Sequence, residues 1–358
     1  MLVHICCSVD SHYFITELKK LYPNENLVGF FYDPNIHPQA EYELRFLDVK
    51  RSCDKIGVKL YKGEYEFRQW LNATKGYENE PEKGARCEIC FDERLGKSVE
   101  FALKMGEKSL TTTLLTSPKK DLKQLEQALQ KECAKFGIAF VAPDFRKNGG
   151  TQRQFSLAKQ AMLYHQNYCG CIYALARQRR DKAFIDELMS PITRQVLPNS
   201  IEARTKLFKR VIALEKKGVK FRLEREKFLN YRLLRAQICI DKKPVKSHIL
   251  FYSHFKNAKT CFTQSENVKG ELRIFKDELI FWDFERFNAL CRGKFQSFDE
   301  LLKKPLSVEK EVALRQKLFG AYHLSPIIIC EHLPQGKVEV IAKSEIYFDT
   351  REKIIKLK

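Results

Sequence analysis

A repeated alternation constrains this chain most. Leu2–Cys6, Leu27–Tyr32 and Val58–Tyr61 are short, largely apolar runs, and Ser11–Tyr22 and Tyr42–Ile56 between them have helical spacing (Tyr13, Phe14, Leu18 and Leu21 in the first). A strand without polar alternation is buried on both faces, which requires helices above and below it. The order βαβα predicts an α/β domain with a parallel sheet, Rossmann-like or HUP-like. Ser109–Leu115 and Ile138–Val141 continue the strands; Phe91–Met105, Lys119–Phe136 and Arg153–His165 continue the helices. Such sheets place ligands beyond the carboxyl ends of their strands, and Cys6 and Cys7 stand at such an end.

The character changes near Met189. Ser190-Pro191 and Leu197-Pro198-Asn199 mark a boundary, so residues 1–189 and 190–358 are expected to be separate domains. After a helix at Ile201–Lys217, strand-like pieces follow at Gln237–Ile240, His248–Tyr252, Glu271–Phe275, Glu278–Phe284, Lys337–Ala342 and Glu345–Asp349. Helices near Ser297–Lys303 and Ser307–Phe319 are interspersed, giving an appended α+β domain. Residues 190–358 carry 35 Lys and Arg against 20 Asp and Glu, a balance of +15 out of the +19 of the whole chain. Such charge favours polyanionic partners, nucleic acid above all, though a solvated basic surface has the same composition.

No run of about 18 apolar residues exists, so no membrane span is expected. Met1–Asp10 lacks the basic start of a signal peptide, and a cytoplasmic location follows as the expectation. Twelve cysteines in that reducing compartment point to metal binding or redox work rather than a disulfide framework.

Six of the twelve form three pairs. Cys87-Glu88-Ile89-Cys90 stands at the start of a helix, where the helix terminus favours thiolates. Alone, this spacing suits structural zinc, a redox dithiol or an iron–sulfur cluster equally. Cys6-Cys7 follows the first strand. Neighbouring side chains on an extended chain diverge, so one metal takes both only if the chain bends. Asp10 is within reach as an oxygen ligand or a proton donor. Cys169-Gly170-Cys171 is the third pair, its glycine permitting a tight backbone. The plain alternative for each pair is burial as small apolar side chains. Cys53, Cys133, Cys239, Cys261, Cys291 and Cys330 are isolated and read as structural.

Dinucleotide and P-loop fingerprints are absent, as are the cysteine spacings of ferredoxins and radical enzymes. The blocks HICC, FFYDPNIHP, EPEKGARCEICFDERL, TTTLLTSPKK, DFRKNGG and QNYCGC occur in that order. Over about residues 1–180 the chain thereby resembles the cobalamin-independent epoxyqueuosine reductases of the QueH family. The resemblance implies reduction of epoxyqueuosine to queuosine at the wobble position of tRNA, the last step of queuosine biosynthesis. It implies a [4Fe–4S] cluster with a further metal ion beside it, iron being the expected one. By motif, Cys6, Cys7, Cys87 and Cys90 correspond to the cluster and metal cysteines, and Cys169 and Cys171 to a redox-active pair. Many relatives read CCxPC or CCxPD where this chain reads CCSVD, so Asp10 falls on a ligand position and Val9 replaces the usual proline. The electron donor is not implied.

Expected phosphate contacts are Arg146, Lys147, Arg153 and the block Arg204–Lys220, with Tyr32, Phe91 and Tyr168 as aromatics able to stack on a splayed base. Two other functions share part of this pattern. A tRNA-thiolating enzyme would carry an SGGxDS-type ATP loop, which is lacking, and a zinc-stabilised RNA-binding module would hold zinc alone.

Overall fold

The computed structural model describes residues 1–166, 168–178, 189–191, 193, 195–264, 269–274, 278–321 and 323–357. The chain forms two compact units. The first comprises Met1–Ile185, Arg204–Leu223 and Ile354–Lys358; the second comprises Asp186–Ala203 and Glu224–Lys353. The expected boundary at 189/190 adjoins residues 179–188, which lie outside the described residues.

The first unit holds β1 (Leu2–Ile5), α1 (Ser8–Leu21), β2 (Val28–Phe31), α2 (Gln39–Ile56), β3 (Lys59–Lys62), α3 (Phe67–Ala73), α4 (Ala85–Met105), β4 (Ser109–Thr112), α5 (Leu122–Ala134), β5 (Ala139–Phe140), α6 (Gly150–Gln160), α7 (Ile172–Gln178) and α8 (Ile201–Lys216). Its sheet runs β3-β2-β1-β4-β5, with every neighbouring pair parallel. The parallel α/β expectation is thus realised. Leu2, Val3, Ile5, Phe30 and Phe31 are buried in the main core with Phe14, Leu18, Leu95 and Val99 from the covering helices. β1 and β2 are buried at every residue, which is why no polar alternation shows in their sequence.

The chain winds outward from β1 to β3 and then returns to lay β4 on the other side of β1. The two strand ends therefore part at the β1/β4 junction, leaving the crevice where such sheets bind ligands. Two boundaries matter for what lies there. α1 begins at Ser8, so Cys7 is its N-cap. α4 begins at Ala85, so Cys87 and Cys90 lie within its first two turns rather than before it. The expected strand Ser109–Leu115 is β4 followed by a single 3-10 turn, Thr113–Thr116, capped by the Thr112 hydroxyl.

α8 packs into the first unit through Val211 and Leu214, which meet Phe221 and Met162. Arg51 on α2 grips Glu215 through Nε and Nη2, at 2.8 and 2.9 Å.

The second unit is α+β. Its strands are β6 (Phe221–Ile240), β7 (Lys243–Val245), β8 (Ser247–Ile249), β9 (Lys259–Gln264), β10 (Glu271–Ile274), β11 (Leu279–Asp283), β12 (Ile327–Cys330) and β13 (Gly336–Lys356); its helices are α9 (Phe284–Leu290), α10 (Phe298–Lys303) and α11 (Val308–Phe319). They form the sheets β10-β11-β12-β8 and β7-β6-β13-β9. Phe275, the expected end of β10, lies outside the described residues. β6 extends the expected strand Gln237–Ile240 far toward its N-terminus, and β13 joins the two expected pieces at 337–342 and 345–349 into one strand. The half-buried His248 pairs with the buried Glu311 at 2.9 Å, and Glu311 and the fully enclosed Arg315 tie α11 to β8 and the segment after it.

Candidate functional site

The turn from β1 into α1 supplies the bend that Cys6 and Cys7 need: their sulfurs lie 3.8 Å apart. Asp10, in the first turn of α1, brings Oδ2 to 3.4 Å from the Cys6 sulfur. The Cys6 amide donates to Thr113 Oγ1 at 3.3 Å, so the ends of β1 and β4 are tied together just beneath the sulfurs. One donor atom from each of Cys6, Cys7 and Asp10 falls within a 4.8 Å group. All three residues are buried.

Burial penalises charge, and the effect is visible here. The Cys6 thiol is pushed well above its ordinary range, first by its hydrogen bond to Cys7 and then by burial. Burial also raises Asp10, against hydrogen bonds from Cys7, Cys6 and Gln154 and the nearby charge of Lys120. Gln154 Nε2 donates to Asp10 Oδ1 at 2.7 Å and fixes the carboxyl. Two sulfurs and a carboxylate this close carry up to three negative charges in a dry site. Protonation relieves that charge, as the raised Cys6 and Asp10 show, and so would a bound cation; a mixed sulfur and oxygen set suits iron or zinc.

α4 presents the second pair. Arg86 on α4 donates to the carbonyls of Tyr77, Glu78 and Glu80 and so pins the polar loop before it. The Lys83 amide donates to the Cys87 sulfur at 3.3 Å. Cys90 is buried with Trp70, Cys171 and Ala174, and Cys169 packs against this cluster. Burial pushes the Cys90 thiol up to about 12. Cys90 of the second pair and both cysteines of the third thus share one cluster, while Cys87 packs against the main core.

The third pair is held by its backbone. His37 N donates to Gly170 O at 2.9 Å, and Arg45 donates to the carbonyls of Tyr168 and Cys169 at 3.0 and 3.2 Å. Gly170 has φ +106°, and a Cβ there would stand 2.9 Å from Ile36 Cγ1. Only glycine fits that conformation without strain.

Lys120 and Arg94 were not legible as site residues. Lys120 Nζ lies 3.1 Å from the Cys169 sulfur. Burial disfavours its charge, yet Cys169, Cys87 and Cys90 more than compensate and hold it protonated. Burial likewise opposes the Cys169 thiolate, but Lys120, Arg94 and Arg45 outweigh it and bring that thiol below its ordinary value. Arg94, paired with Asp33, acts electrostatically on Cys90, Cys6 and Cys169 together. Lys120 stands in the TTTLLTSPKK block and Asp33 in FFYDPNIHP. Those blocks were the signal that existed, but nothing local marks a lysine as turned toward cysteines.

Several expected contacts with tRNA are engaged otherwise. Tyr32, Phe91 and Tyr168 are buried; the Tyr32 hydroxyl donates to Glu66 and that of Tyr168 to His37 O. They are enclosed: Tyr32 and Phe91 lie in the main core, and Tyr168 is held against Arg45. Arg146 donates to Ser117 O and Lys120 O and holds the Lys120 turn. Arg204 is turned inward onto Tyr164. Lys147, Arg153 and the rest of the α8 cations, Lys206, Lys209, Arg210 and Lys216, remain exposed, as do Lys217 and Lys220 just beyond the helix.

Residues 1–177 match the family described as epoxyqueuosine reductase QueH. The epoxyqueuosine reductase QueH of Helicobacter pylori is 38% identical over 96% of this chain and 97% of its own length. The chain belongs to the QueH family. The likeness therefore extends through the second half, beyond the motif blocks in the first. The QueH of Thermotoga maritima is 36% identical over 52% of this chain, which accounts for 95% of that relative. Among solved structures, the U34-tRNA thiolase NcsA from Methanococcus maripaludis with its [4Fe–4S] cluster aligns at a TM-score of 0.32 and 14% identity, covering 60% of this chain and 73% of that one.

Proposed function

We propose that this QueH-family chain reduces epoxyqueuosine to queuosine in the anticodon loop of tRNA. The observation that carries the proposal is the buried group of Cys6, Cys7 and Asp10 at the end of β1, with Cys90, Cys169 and Cys171 in a second cluster that Lys120 joins through Cys169. Residues 1–189 are proposed as the iron–sulfur catalytic domain and 190–358 as a basic extension that assists tRNA binding. The setting is cytoplasmic, and no described helix is long and apolar enough to cross a membrane.

The donor set fits a [4Fe–4S] cluster and a neighbouring metal ion. Cys6, Cys7, Cys87 and Cys90 are proposed to hold them, Asp10 serving the metal, with Cys169 and Cys171 as a redox pair. When bound, these groups supply single electrons and Lewis acidity. The overall change is a balanced one: epoxide, two electrons and two protons give an alkene and water. Where it does not ligate the metal, Asp10, whose buried carboxyl keeps its proton to higher pH than an exposed one, is the proposed proton donor to the departing oxygen. Gln154 keeps that carboxyl from rotating away. Trp70, Phe67 and Tyr173 pack with Cys90, Cys169 and Cys171 and keep water from them. Lys120 favours the Cys169 thiolate, the form that exchanges with disulfides.

The deciding experiment incubates anaerobically reconstituted protein with epoxyqueuosine-tRNA and a reductant and identifies the nucleoside by mass spectrometry. Queuosine is expected. Its absence from protein with full iron and sulfide content would sink the proposal. Loss of the cluster's visible absorption in Cys87→Ala tests the ligand set separately.

A further inference from the structure

The matched family stretch ends at residue 177, yet a side chain well beyond it reaches back to the third cysteine pair. Arg204, on α8, lies in the same compact unit as the cysteines. Its Nη1 donates to the Tyr164 hydroxyl at 2.9 Å. That hydroxyl donates to the Glu41 carboxylate, whose oxygens lie 3.0 and 3.1 Å away. The same carboxylate accepts from Arg45 Nε at 2.8 Å. Arg45 then donates from Nη2 and Nη1 to the carbonyls of Tyr168 and Cys169. One unbroken chain of hydrogen bonds starts on α8 and ends on the peptide that carries the Cys169 thiol.

The links are enclosed: Glu41 is 0% exposed, Arg45 3% and Tyr164 3%. In such surroundings each bond polarises the next, and an unmatched member is costly. The chain's far end is a stretch without helix or strand, so its position depends on these bonds and on the His37 contact. Its near end depends on α8. Because Tyr164 accepts from Arg204, its own proton is directed to Glu41, where it helps to hold the carboxylate against Arg45. The Phe208 ring meets Tyr164 edge-on with centroids 5.3 Å apart, so α8 fixes that tyrosine by packing as well as by charge.

We propose that Arg204 is a positioning residue for the Cys169-Gly170-Cys171 loop. Acting through Tyr164, Glu41 and Arg45, it makes α8 a working part of the reductive site and gives residues beyond 177 a role other than gripping tRNA. The proposal rests on the reading of Cys169 and Cys171 as participants in the reduction.

The test uses the full chain with Arg204→Met and Arg204→Lys. In Arg204→Met, amide hydrogen exchange at residues 168–171 should accelerate, and kcat should fall roughly tenfold or more with KM for the tRNA unchanged. Arg204→Lys, which still donates to Tyr164, should recover most of both. Unchanged exchange at 168–171 in Arg204→Met overturns the proposal. A raised KM with a weaker salt dependence and an untouched kcat also overturns it, since that marks a phosphate contact. If Arg204→Met does not fold, Tyr164→Phe breaks the next link while keeping the ring against Phe208, and must give the same two changes. Full multiple-turnover activity in Cys169→Ala would remove the redox reading of the loop, whereas the exchange measurement still judges the positioning on its own.

Discussion

The ammonium of Lys120 lies 3.1 Å from the sulfur of Cys169, and this proximity separates the two members of the Cys169/Cys171 pair. The Cys171 thiol is raised, first by burial and then by the neighbouring Cys169, while Cys169 is lowered. The two thiols are therefore unequal, the thiolate being favoured at Cys169 and disfavoured at Cys171, a division that two cysteines around a glycine do not reveal in sequence.

Replacing Lys120 by Met should move the pH profile of Cys169 alkylation to higher pH. A lowered thiol is thiolate above its folded value; without the ammonium, burial acts unopposed by the closest charge and the thiolate appears later. The measurement is the pH dependence of iodoacetamide labelling at Cys169 in metal-free protein, read by peptide mass. An unmoved midpoint would show that Arg94 and Arg45 suffice.

Asp10 gives a pH dependence of stability with a definite sign. Burial raises its folded carboxyl above the value in the unfolded chain, so the native state binds the proton more tightly. The resulting stability is present at pH below the unfolded value and is lost as pH rises through the folded one. Asp10→Asn cannot ionise and can still accept from Gln154. In metal-free protein its Tm should match the parent in acid and exceed it near neutrality. A pH-independent difference between the two would refute the assignment.

What the sequence made legible follows from burial. LVHI and VGFF are buried at every position, so β1 and β2 announce themselves as apolar runs, broken only by the buried His4. β6 does not: Arg222, Arg225, Lys227 and Arg235 are exposed along it and Glu224 and Glu226 are half-buried, and these charges mask an extended strand. β12, IIIC, is wholly buried but too short to be told from a helical segment. In the site, the cysteine pairs were visible because spacing and residue type are local. Lys120, Arg94 and Arg204 were not, because a cation amid basic sequence is marked as a site residue only by what it faces. Arg204 stood in a basic block read for phosphate binding, and its inward turn is a property of packing.

The α8 cations give a test of tRNA binding. Between Ala203 and Leu223 the only acid is Glu215, and it is turned inward onto Arg51 and Lys55. The outward face is left with Lys206, Lys209, Arg210 and Lys216, followed by Lys217, and the helix's other acid, Glu202, is engaged by Ser190. If Lys206, Lys209 and Arg210 bind phosphates, changing them to Glu should weaken tRNA binding and lower the slope of log K against log salt by about 0.7–0.9 for each phosphate no longer neutralised. Fluorescence anisotropy with labelled tRNA over a salt series reads this out. A parental slope would assign that face to solvent.

Asp33 and Arg94 form a buried ion pair at the centre of the site, 1% and 3% exposed. Burial pushes the Asp33 carboxyl up to about 6, and Arg94 and Arg45 keep it from rising further. At pH 7.5 both partners are therefore charged. Removing one partner leaves the other buried without its counter-charge, which costs about 3–5 kcal/mol, whereas removing both costs less. Arg94→Met should lower the urea midpoint accordingly, and Asp33→Asn with Arg94→Met should recover a large part of the loss. The single variant should also improve as the pH is lowered from 7.5 toward 5, because protonation relieves the orphaned carboxylate. The double variant has no such group to relieve. Urea unfolding of the four proteins of this cycle at both pH values separates the pair from its surroundings: equal losses in the single and double variants would show that Arg94 stabilises the site through packing and not through Asp33.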